Sequence, residues 1–366
     1  MPEPTNEEAL WLLPRIPQAT WDRGLAEATS ALASVAIDPG ARITPHASAA
    51  ALAAAGYPGN VRFVRDYNGG AWPAEMVEGL ASAAASLAQP VDVALARRTF
   101  GDGTVLWIAG IAERPVSLDP LPRDIPLDDV ISVRVGLTDS ALGEDLTLFV
   151  APPDGTVQTH PLTDGVGLWL DTFHVPGEYR MEVVTAGETT AQVVLLWSNF
   201  VEQATPTLSS LPRASGEVPD PAAAALALYD ALDTLRYNAG LPKLTRFPTF
   251  EGLSRDHARR MASANTVAHT IGGVTPGVAA LARIDFHPKA LHREDLAAAV
   301  SWEEAMDLLT LSPGHLQNLL CTACTHVSIG TALEPYALGE VPRLFVVWEL
   351  LEFPNGEPKP IERFDR

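Results

Sequence analysis

A histidine at the start of a helix is the first residue whose position suggests chemistry. In the stretch SPGHLQNLL, residues 312–320, Ser312 can cap free backbone N–H groups and Pro313 fits the first helical position. His315 then takes the third helical position, where the positive end of the helix dipole disfavours a protonated imidazole. The sequence therefore predicts that His315 is neutral near pH 7, the form in which histidine ligates a metal or acts as a general base.

Most of the other histidines lie in the same part of the chain. Six of the nine histidines fall within residues 218–366, so candidate chemistry is expected there. The sequence contains neither the HExxH motif of zinc proteases nor the G-x-S-x-G turn of serine hydrolases. A site in this chain must therefore be assembled from residues that are distant in sequence.

The two cysteines, Cys321 and Cys324, form a single CxxC pair. One such pair is too small for a four-cysteine zinc site, and Thr325 separates it from the histidine that a haem-attachment motif would need. The sequence leaves two alternatives, a local disulfide or two free thiols.

The composition excludes several classes of partner. A net charge of −20 and a pI of about 4.7 argue against nucleic acid and against an anionic membrane surface. No apolar run approaches the roughly 18 residues of a membrane-spanning helix, so no transmembrane anchor is predicted. The N-terminus is acidic where a signal peptide would be basic, and Pro14 interrupts its apolar run. These features predict either a cytoplasmic protein or an exported one whose leader has been removed.

Three regions with different patterns indicate a multidomain α+β protein. Residues 8–113 are alanine-rich with helical spacing, and end in two apparent strands, VDVALARR and TVLWIAGI, joined by TFGDG. This pattern predicts an α+β domain. Residues 114–203 contain short alternating runs between Pro, Gly and Asp turns, which predict a β-sandwich. It resembles an immunoglobulin-like domain without the cysteine pair, and Tyr179, Met181 and Val183 should alternate inward.

A proline- and serine-rich stretch precedes the last region. Residues 204–219 are predicted to be a linker that proteases cleave readily. Asp220 and Pro221 should then cap a helix whose leucines share one face. A second helix follows, and two strands, HVSIGTAL and RLFVVWEL, close the region.

Five segments of this last region, taken together, resemble a known family. They are LRYNAGLPKL, HARRMASANTVAHT, REDLAAA, SWEEAMDLLTLSPGHLQNLL, and THVSIGTAL with RLFVVWEL, across roughly residues 222–352. In this order they resemble the CAP superfamily (cysteine-rich secretory proteins, antigen five and pathogenesis-related one) in its bacterial SCP-like form. The resemblance implies an α-β-α sandwich, the CAP fold, over residues 220–354, with 355–366 as a C-terminal tail.

The resemblance also implies a cleft in which two histidines and one or two glutamates converge. By position, the histidines are His269 of VAHT and His315 of SPGH, and Glu294 of RED takes the place of the glutamate in the family's GEN motif. The place of a second glutamate, near Leu311, is not acidic, so a single cleft acid is expected. Asp295 should add negative charge beside Glu294.

Several family members bind a divalent metal in this cleft. The resemblance therefore makes His269 and His315 the expected metal ligands, with zinc as the candidate ion. Two histidines and a carboxylate can hold zinc with one position open. Alternatively, Glu294 can orient one imidazole without touching the metal.

Two functions follow from the resemblance, and whether the protein is an enzyme stays undecided at this point. The first is a binding or cell-envelope interaction module whose ligand is a protein, peptide, lipid or glycan. The second is a metal-assisted, peptidase-like hydrolase with His269, Glu294 and His315 as catalytic residues and Glu294 as the general base. The absent second glutamate and the lack of a nucleophile motif favour the first. The family also implies export to the periplasm or the extracellular space.

Other polar residues are expected to have structural roles. Ser301 and Glu304 form a predicted capping box. His287 and His292 are weaker candidates for the mouth of the cleft. His257 should be a satisfied core residue. The remaining histidines are expected to be structural or solvated: His46, His160, His174 and His326.

The first and last regions end in similar sequences. VDVALARRTFGDGTVLWIAG and HVSIGTALEPYALGEVPRLFVVWEL are both apolar strand pairs that follow alanine- or leucine-rich helices. Residues 8–113 are therefore interpreted either as a degenerate CAP-like copy without its histidines or as an unrelated α+β domain.

Overall fold

The structure is a computed structural model with two compact units, Met1–Ala214 and Ser215–Arg366. It describes residues 7–87, 90–119, 122, 124–137, 145–162, 166–186, 191–213, 218–275, 292–336 and 342–353. The predicted tail over 355–366 lies outside the described residues. Mixed α+β architecture with several sheets is confirmed. No helix among the described residues is long and apolar enough to cross a membrane.

The first unit begins with a four-stranded sheet that has helices on both faces. Its helices are α1 (Glu7–Leu12), α2 (Arg23–Val35), α3 (Pro45–Ala55) and α4 (Ala74–Ser86), with a 3-10 turn over Leu13–Arg15. Its strands are β1 (Ala19–Trp21), β2 (Val61–Asn68), β3 (Val91–Thr99) and β4 (Val105–Glu113), in the order β1-β3-β4-β2. Residues of β3 and β4 alternate between a core with α1 and α4 and a core with α2 and α3. The predicted β3–β4 hairpin is confirmed.

Two further sheets of the first unit share one hydrophobic core. The strands are β5 (Val116–Leu118), β6 (Asp124–Ile125), β7 (Val130–Leu137), β8 (Leu146–Ala151), β9 (Gln158–Leu162), β10 (Val166–Thr172), β11 (Gly177–Ala186) and β12 (Ala191–Val201). They form the sheets β10-β7-β5 and β6-β12-β11-β8-β9. Tyr179, Met181 and Val183 on β11 point into the common core, as predicted. The immunoglobulin-like comparison stays a prediction.

Part of the predicted linker packs against the first unit. Leu211 is buried and joins the core that contains α2 and α3. Its backbone bridges to Ala36, and the carbonyl of Pro212 accepts a hydrogen bond from the Arg42 N–H at 2.7 Å. Residues 204–213 are therefore held by side-chain and backbone contacts.

The second unit is a sheet between two helical layers. Its helices are α5 (Pro221–Asn238), α6 (Pro248–Ala264), α7 (Trp302–Leu311) and α8 (Pro313–Leu319). Its strands are β13 (Thr245–Arg246), β14 (His292–Ala299), β15 (His326–Leu333) and β16 (Leu344–Leu351), in the order β13-β15-β16-β14. One face packs against α6 and the other against α5 and α7. Asp220 caps α5 through the Ala222 N–H, as predicted.

The four-stranded sheets of the two units have the same topology. In each sheet, the first strand runs parallel to the third, and the second and third strands are both antiparallel to the fourth. In each, a helix follows the first strand and packs on the two central strands, as α2 does on β3 and β4 and α6 on β15 and β16.

Candidate functional site

Two glutamates face each other on the side of the second sheet that α6 covers. The antiparallel pairing of β14 with β16 places Glu294 opposite Glu349. Leu296 and Val347, at alternating positions on the same strands, pack against α6, so the two acids share that face. The side chains are 6% and 1% exposed, respectively. Buried carboxylates require partners, because an ionised acid is costly to remove from water.

Each acid has a histidine partner. The Nδ1 atom of His269 lies 2.6 Å from Glu294 Oε1. At the other end of the pair, His292 Nε2 hydrogen-bonds Glu349 Oε2. The structure therefore contains a row of four titratable side chains, in the order His292, Glu349, Glu294 and His269, whose two central acids are buried. His292, considered only a weak candidate for the cleft mouth, belongs to this row.

The environment moves the pKa values of the row in different directions. Burial raises the pKa of Glu294, but its hydrogen bonds with His269 and Glu349 and the charges of His269 and His257 together outweigh burial, so the net pKa is lowered. Burial, together with the nearby charge of Glu294, raises the pKa of Glu349 to about 7 despite the hydrogen bond with His292. Burial lowers the pKa of His292, but the hydrogen bond with Glu349 and the charges of Glu349 and Glu294 together outweigh burial, so the net pKa is raised.

His315 lies on α8, where Ser312 fixes its ring. Ser312 Oγ accepts the His315 backbone N–H at 3.4 Å, as predicted for the helix cap, and also lies 2.8 Å from His315 Nδ1. Burial lowers the His315 pKa to about 4, and the charge of His269 adds to this effect. The lowered pKa favours the neutral imidazole that the sequence predicts, through burial rather than through the helix dipole.

The end of α8 is fixed by buried polar contacts. Arg236 is fully buried and donates hydrogen bonds to the carbonyls of Leu319 and Cys321 at 2.9 and 3.0 Å. Cys321 and Cys324 form a disulfide in the following loop, which decides between the two alternatives for the CxxC pair. These contacts hold the helix that carries His315.

Asn318 of α8 connects this helix to β14. Its amide donates to Asp295 Oδ1 at 2.7 Å, and its carbonyl accepts from Arg293 Nη1 at 2.9 Å. Asp295 alternates with Glu294 and so lies on the opposite face of the sheet. The prediction that Asp295 adds charge beside Glu294 was wrong, because neighbouring strand residues point to opposite faces.

His257 of α6 lies beside this site without hydrogen bonds of its own. The residue is fully buried, and neither ring nitrogen has a hydrogen-bond partner. Burial lowers its pKa, opposed by the charge of Glu294 and by the nearby backbone of Ala268. Glu294 Oε2 is also without a hydrogen bond. His257 is buried, as expected, but its ring nitrogens have no hydrogen-bond partner.

The donor set supplies two candidate metal ligands. In both His269 and His315 the Nδ1 atom is engaged, so Nε2 is the nitrogen left for a ligand. Within the ranges that the structure describes, no group of three or more His, Cys, Asp or Glu side chains is arranged to hold an ion. Because zinc sites take at least three protein ligands, these residues do not form a complete zinc centre. The contact of Glu294 with His269 instead matches a carboxylate that orients an imidazole.

Several other predictions have clear outcomes. Ser301 Oγ accepts the Glu304 N–H at 3.3 Å, which confirms this helix cap. His326 is buried and its ring packs against Phe247 and Phe353, so it is structural. His287 lies outside the described residues. His46 is exposed, the ring of His160 packs beside Trp169, and His174 pairs with Asp128 at the surface.

Sequence reasoning missed Glu349. A single cleft acid was expected, but the structure places a second one on β16 and not near Leu311. The signal was a lone acid in LFVVWELL, a strand in which all eight residues are buried. Acidic residues are rarely fully buried without a partner, so such a position points to a polar cluster.

The comparison with protein families decides the identity of the second unit. The model of the cysteine-rich secretory protein family, CAP, matches residues 229–347. The chain carries a CAP domain. The match includes His269, Glu294 and His315 and ends two residues before Glu349. A comparison with curated proteins found no match.

Solved structures similar to the chain include bacterial proteins. An outer surface protein from Borrelia burgdorferi is 23% identical, with 37% of this chain and 97% of that chain covered and a TM-score of 0.31. An extracellular protein containing an SCP domain from Bacillus anthracis is 18% identical, with coverage of 64% and 69% and a TM-score of 0.30. A cysteine-rich secretory protein from Staphylococcus aureus is 13% identical, with coverage of 60% and 77% and a TM-score of 0.28.

Proposed function

We propose that this protein is an exported binding module whose CAP domain holds a polar group of its ligand at the Nε2 atoms of His269 and His315. The observation that carries the proposal is which nitrogen of each histidine ring is hydrogen-bonded within the protein. Both Nδ1 atoms are used within the protein, by Glu294 and Ser312, which leaves the opposite ring edges for a ligand. His269 remains 31% exposed, whereas its glutamate partner is 6% exposed.

The same geometry favours binding over hydrolysis. A general base must reach the proton that it removes, directly or through one water. Glu294 instead has one carboxylate oxygen against His269 and is almost completely buried. Its role in this proposal is to fix the His269 ring. The ligand class, whether protein, peptide, lipid or glycan, is left to experiment.

A divalent cation is the second occupant that this pair of histidines could take. His269 and His315 would supply two nitrogen ligands, and the bound partner molecule would have to supply the others. In this arrangement the metal bridges the CAP domain and its ligand. Zinc is the ion to test first, because it prefers imidazole nitrogen among its ligands.

Thermal unfolding with zinc tests the metal part of the proposal. If zinc binds the native state, a hundredfold excess over the dissociation constant should stabilise it by about 2.7 kcal/mol. His269→Ala and His315→Ala should each remove this stabilisation, and His174→Ala, which changes a histidine of the first unit, should not. Equal stabilisation of all four proteins would exclude these residues as the ligands.

An activity screen tests the binding proposal against the hydrolase. Peptide and ester substrates are offered to the wild type and to Glu294→Gln, with and without zinc, near neutral pH. We expect no turnover by either protein. Wild-type turnover that falls by a factor of roughly 10² to 10⁴ in Glu294→Gln, while zinc-dependent stabilisation is kept, would replace the binding module with a hydrolase.

Export is supported by the bonded state of the cysteines. Cys321 and Cys324 form a disulfide, and disulfides persist mainly in oxidising compartments. Protein isolated from its native cells under thiol-blocking conditions should therefore contain no free thiol. Two free thiols per chain would argue for a reducing compartment and against export.

A further inference from the structure

A cavity in the first unit has the features of a ligand site. Its volume is about 760 Å³, which lies in the range of small-molecule pockets. The lining comes from the start of α2, the end of α3, the segments at the start of β3 and the end of β4, and from β5 and β12. All lining residues belong to Met1–Ala214, so this site is separate from the CAP cleft.

A fully buried carboxylate lies in the wall of this cavity. Asp92 is 0% exposed, and its Oδ2 accepts the Tyr57 hydroxyl at 3.0 Å. The other oxygen, Oδ1, accepts no hydrogen bond. Its ion-pair partner is Arg114, whose Nη2 lies 3.2 Å away on a side chain that is 42% exposed. Asp92 thus has one oxygen that a further donor could satisfy.

The charges around Asp92 favour a cation as that donor. Burial raises the Asp92 pKa to about 6; Arg114 and the Tyr57 hydroxyl oppose this effect, and the charge of Asp22 adds to it. The second arginine of the lining, Arg23, pairs with Glu27 at 2.9 Å and is 92% exposed. The three acids of the lining, Asp22, Glu27 and Asp92, outnumber its two arginines, so the charge of the lining favours a cation.

The rest of the wall suits an apolar body. Val116, Leu118 and Leu195 belong to the lining; Val116 and Leu195 are buried and Leu118 is partly buried. These side chains offer contact area without further hydrogen bonds. The two arginines of the lining already pair with acids, Arg114 with Asp92 and Arg23 with Glu27, so an anionic ligand would compete with these ion pairs.

We propose that this cavity binds a small organic cation, a primary ammonium on an apolar body, with the ammonium donating to Asp92 Oδ1 and the body against Val116, Leu118 and Leu195. The site is independent of the histidine cleft. It would give the protein a second ligand specificity, carried by the region that lacks the CAP histidines.

Three probes of equal length separate the possible occupants. n-Hexylammonium, hexan-1-ol and hexanoate are titrated into the full chain at about pH 8, where Asp92 is ionised. Affinity is measured by ligand-observed NMR. We expect n-hexylammonium to bind more tightly than both other probes. Equal binding of hexan-1-ol, tighter binding of hexanoate, or no binding of any probe would each overturn the proposal.

Two variants place the binding in this cavity. Asp92→Asn removes the charge and should weaken n-hexylammonium binding at least about tenfold, the loss expected for a charged hydrogen bond. Leu118→Trp keeps Asp92 but places an indole ring where the apolar body of the ligand would pack, and should weaken binding. The control Asp230→Asn changes an exposed acid of the other unit and should leave affinity unchanged.

Circular dichroism checks the folding of each variant. Undiminished affinity in a folded Asp92→Asn or Leu118→Trp protein contradicts the site; if Asp92→Asn does not fold, Leu118→Trp decides.

Discussion

In both units, a buried acid on a central strand has an unusual pKa. Asp92 on β3 and Glu349 on β16 are almost completely removed from solvent. Both have pKa values raised by burial, to about 6 and about 7. A raised acid pKa means that the folded state disfavours the charge, so each residue costs stability at neutral pH. Retaining such a group is typical of sites that bind or react.

This argument predicts a stabilising substitution at Asp92. The raised pKa lowers the free energy of unfolding as pH rises from the unfolded value near 4 to the folded value of about 6. Asp92→Asn should therefore stabilise the first unit above pH 6, by at most about 3 kcal/mol, and the gain should shrink towards pH 4. Urea unfolding at several pH values measures it. A loss of stability at about pH 8 would show instead that the ion pair with Arg114 supports the fold.

The candidate site could be predicted from the sequence only in part. Its predicted members all came from short motifs: His269, Glu294 and His315. The structure brings Glu294 into contact with His269, and places His315 close enough for the charge of His269 to lower its pKa. Glu349 was not predicted as a member of the site, because its role depends on the strand register that pairs it with Glu294 across 55 residues of sequence. A register cannot be read from either strand alone.

At the scale of elements, strong local sequence signals were sufficient to predict helix starts, and weak ones were not sufficient to predict short strands. The caps of α5, α7 and α8 were predicted from Ser or Asp with a following Pro or Glu. Strands β1 and β13 have three and two residues, too few for any periodic pattern. The segment HREDLAAA forms β14 although Ala, Arg and Glu favour helices, because pairing along all eight residues with β16 overrides that preference.

The packing of α6 on the CAP sheet depends on one glycine. A Cβ atom at Gly330 of β15 would lie 2.1 Å from backbone atoms of Ser254 and Arg255. Backbone cannot yield as a flexible side chain can, so Gly330→Ala should destabilise the CAP domain by about 3 kcal/mol or more. The Ser254–Ser328 hydroxyl contact at 2.9 Å marks the same close approach.

Gly252 provides the matched control for this substitution. It lies on α6, and a Cβ atom there would meet nothing within 4 Å. Because alanine favours helices over glycine by about 1 kcal/mol, Gly252→Ala should leave the domain unchanged or slightly more stable. Thermal unfolding of both variants measures the difference. A Gly330→Ala protein as stable as the wild type would refute the close-packing argument.

At the scale of the molecule, two sheets of the same topology support the interpretation of residues 8–113 as a degenerate CAP-like copy. The strands β2 and β4 occupy the places that β14 and β16 have in the CAP domain. No two acids face each other across β2 and β4, whose pairs include Val61 with Ala112 and Arg65 with Ile108. On this proposal the first region has kept the framework and lost the histidine and glutamate site.

The division into two units predicts where the chain can be cut. The boundary falls at Ala214 and Ser215, inside the segment first predicted as a linker. Because Leu211 holds residues 204–213 on the first unit, we expect limited proteolysis between 214 and 218 and not before. The stable C-terminal product should begin between Ser215 and Pro221 by mass spectrometry. Produced alone, Ser215–Arg366 should fold. Leu211→Ala should spread cleavage into 204–213, since a buried Leu→Ala costs about 2–5 kcal/mol of local packing. Cleavage mainly within 222–350, or a Leu211→Ala pattern identical to the wild type, would contradict this division.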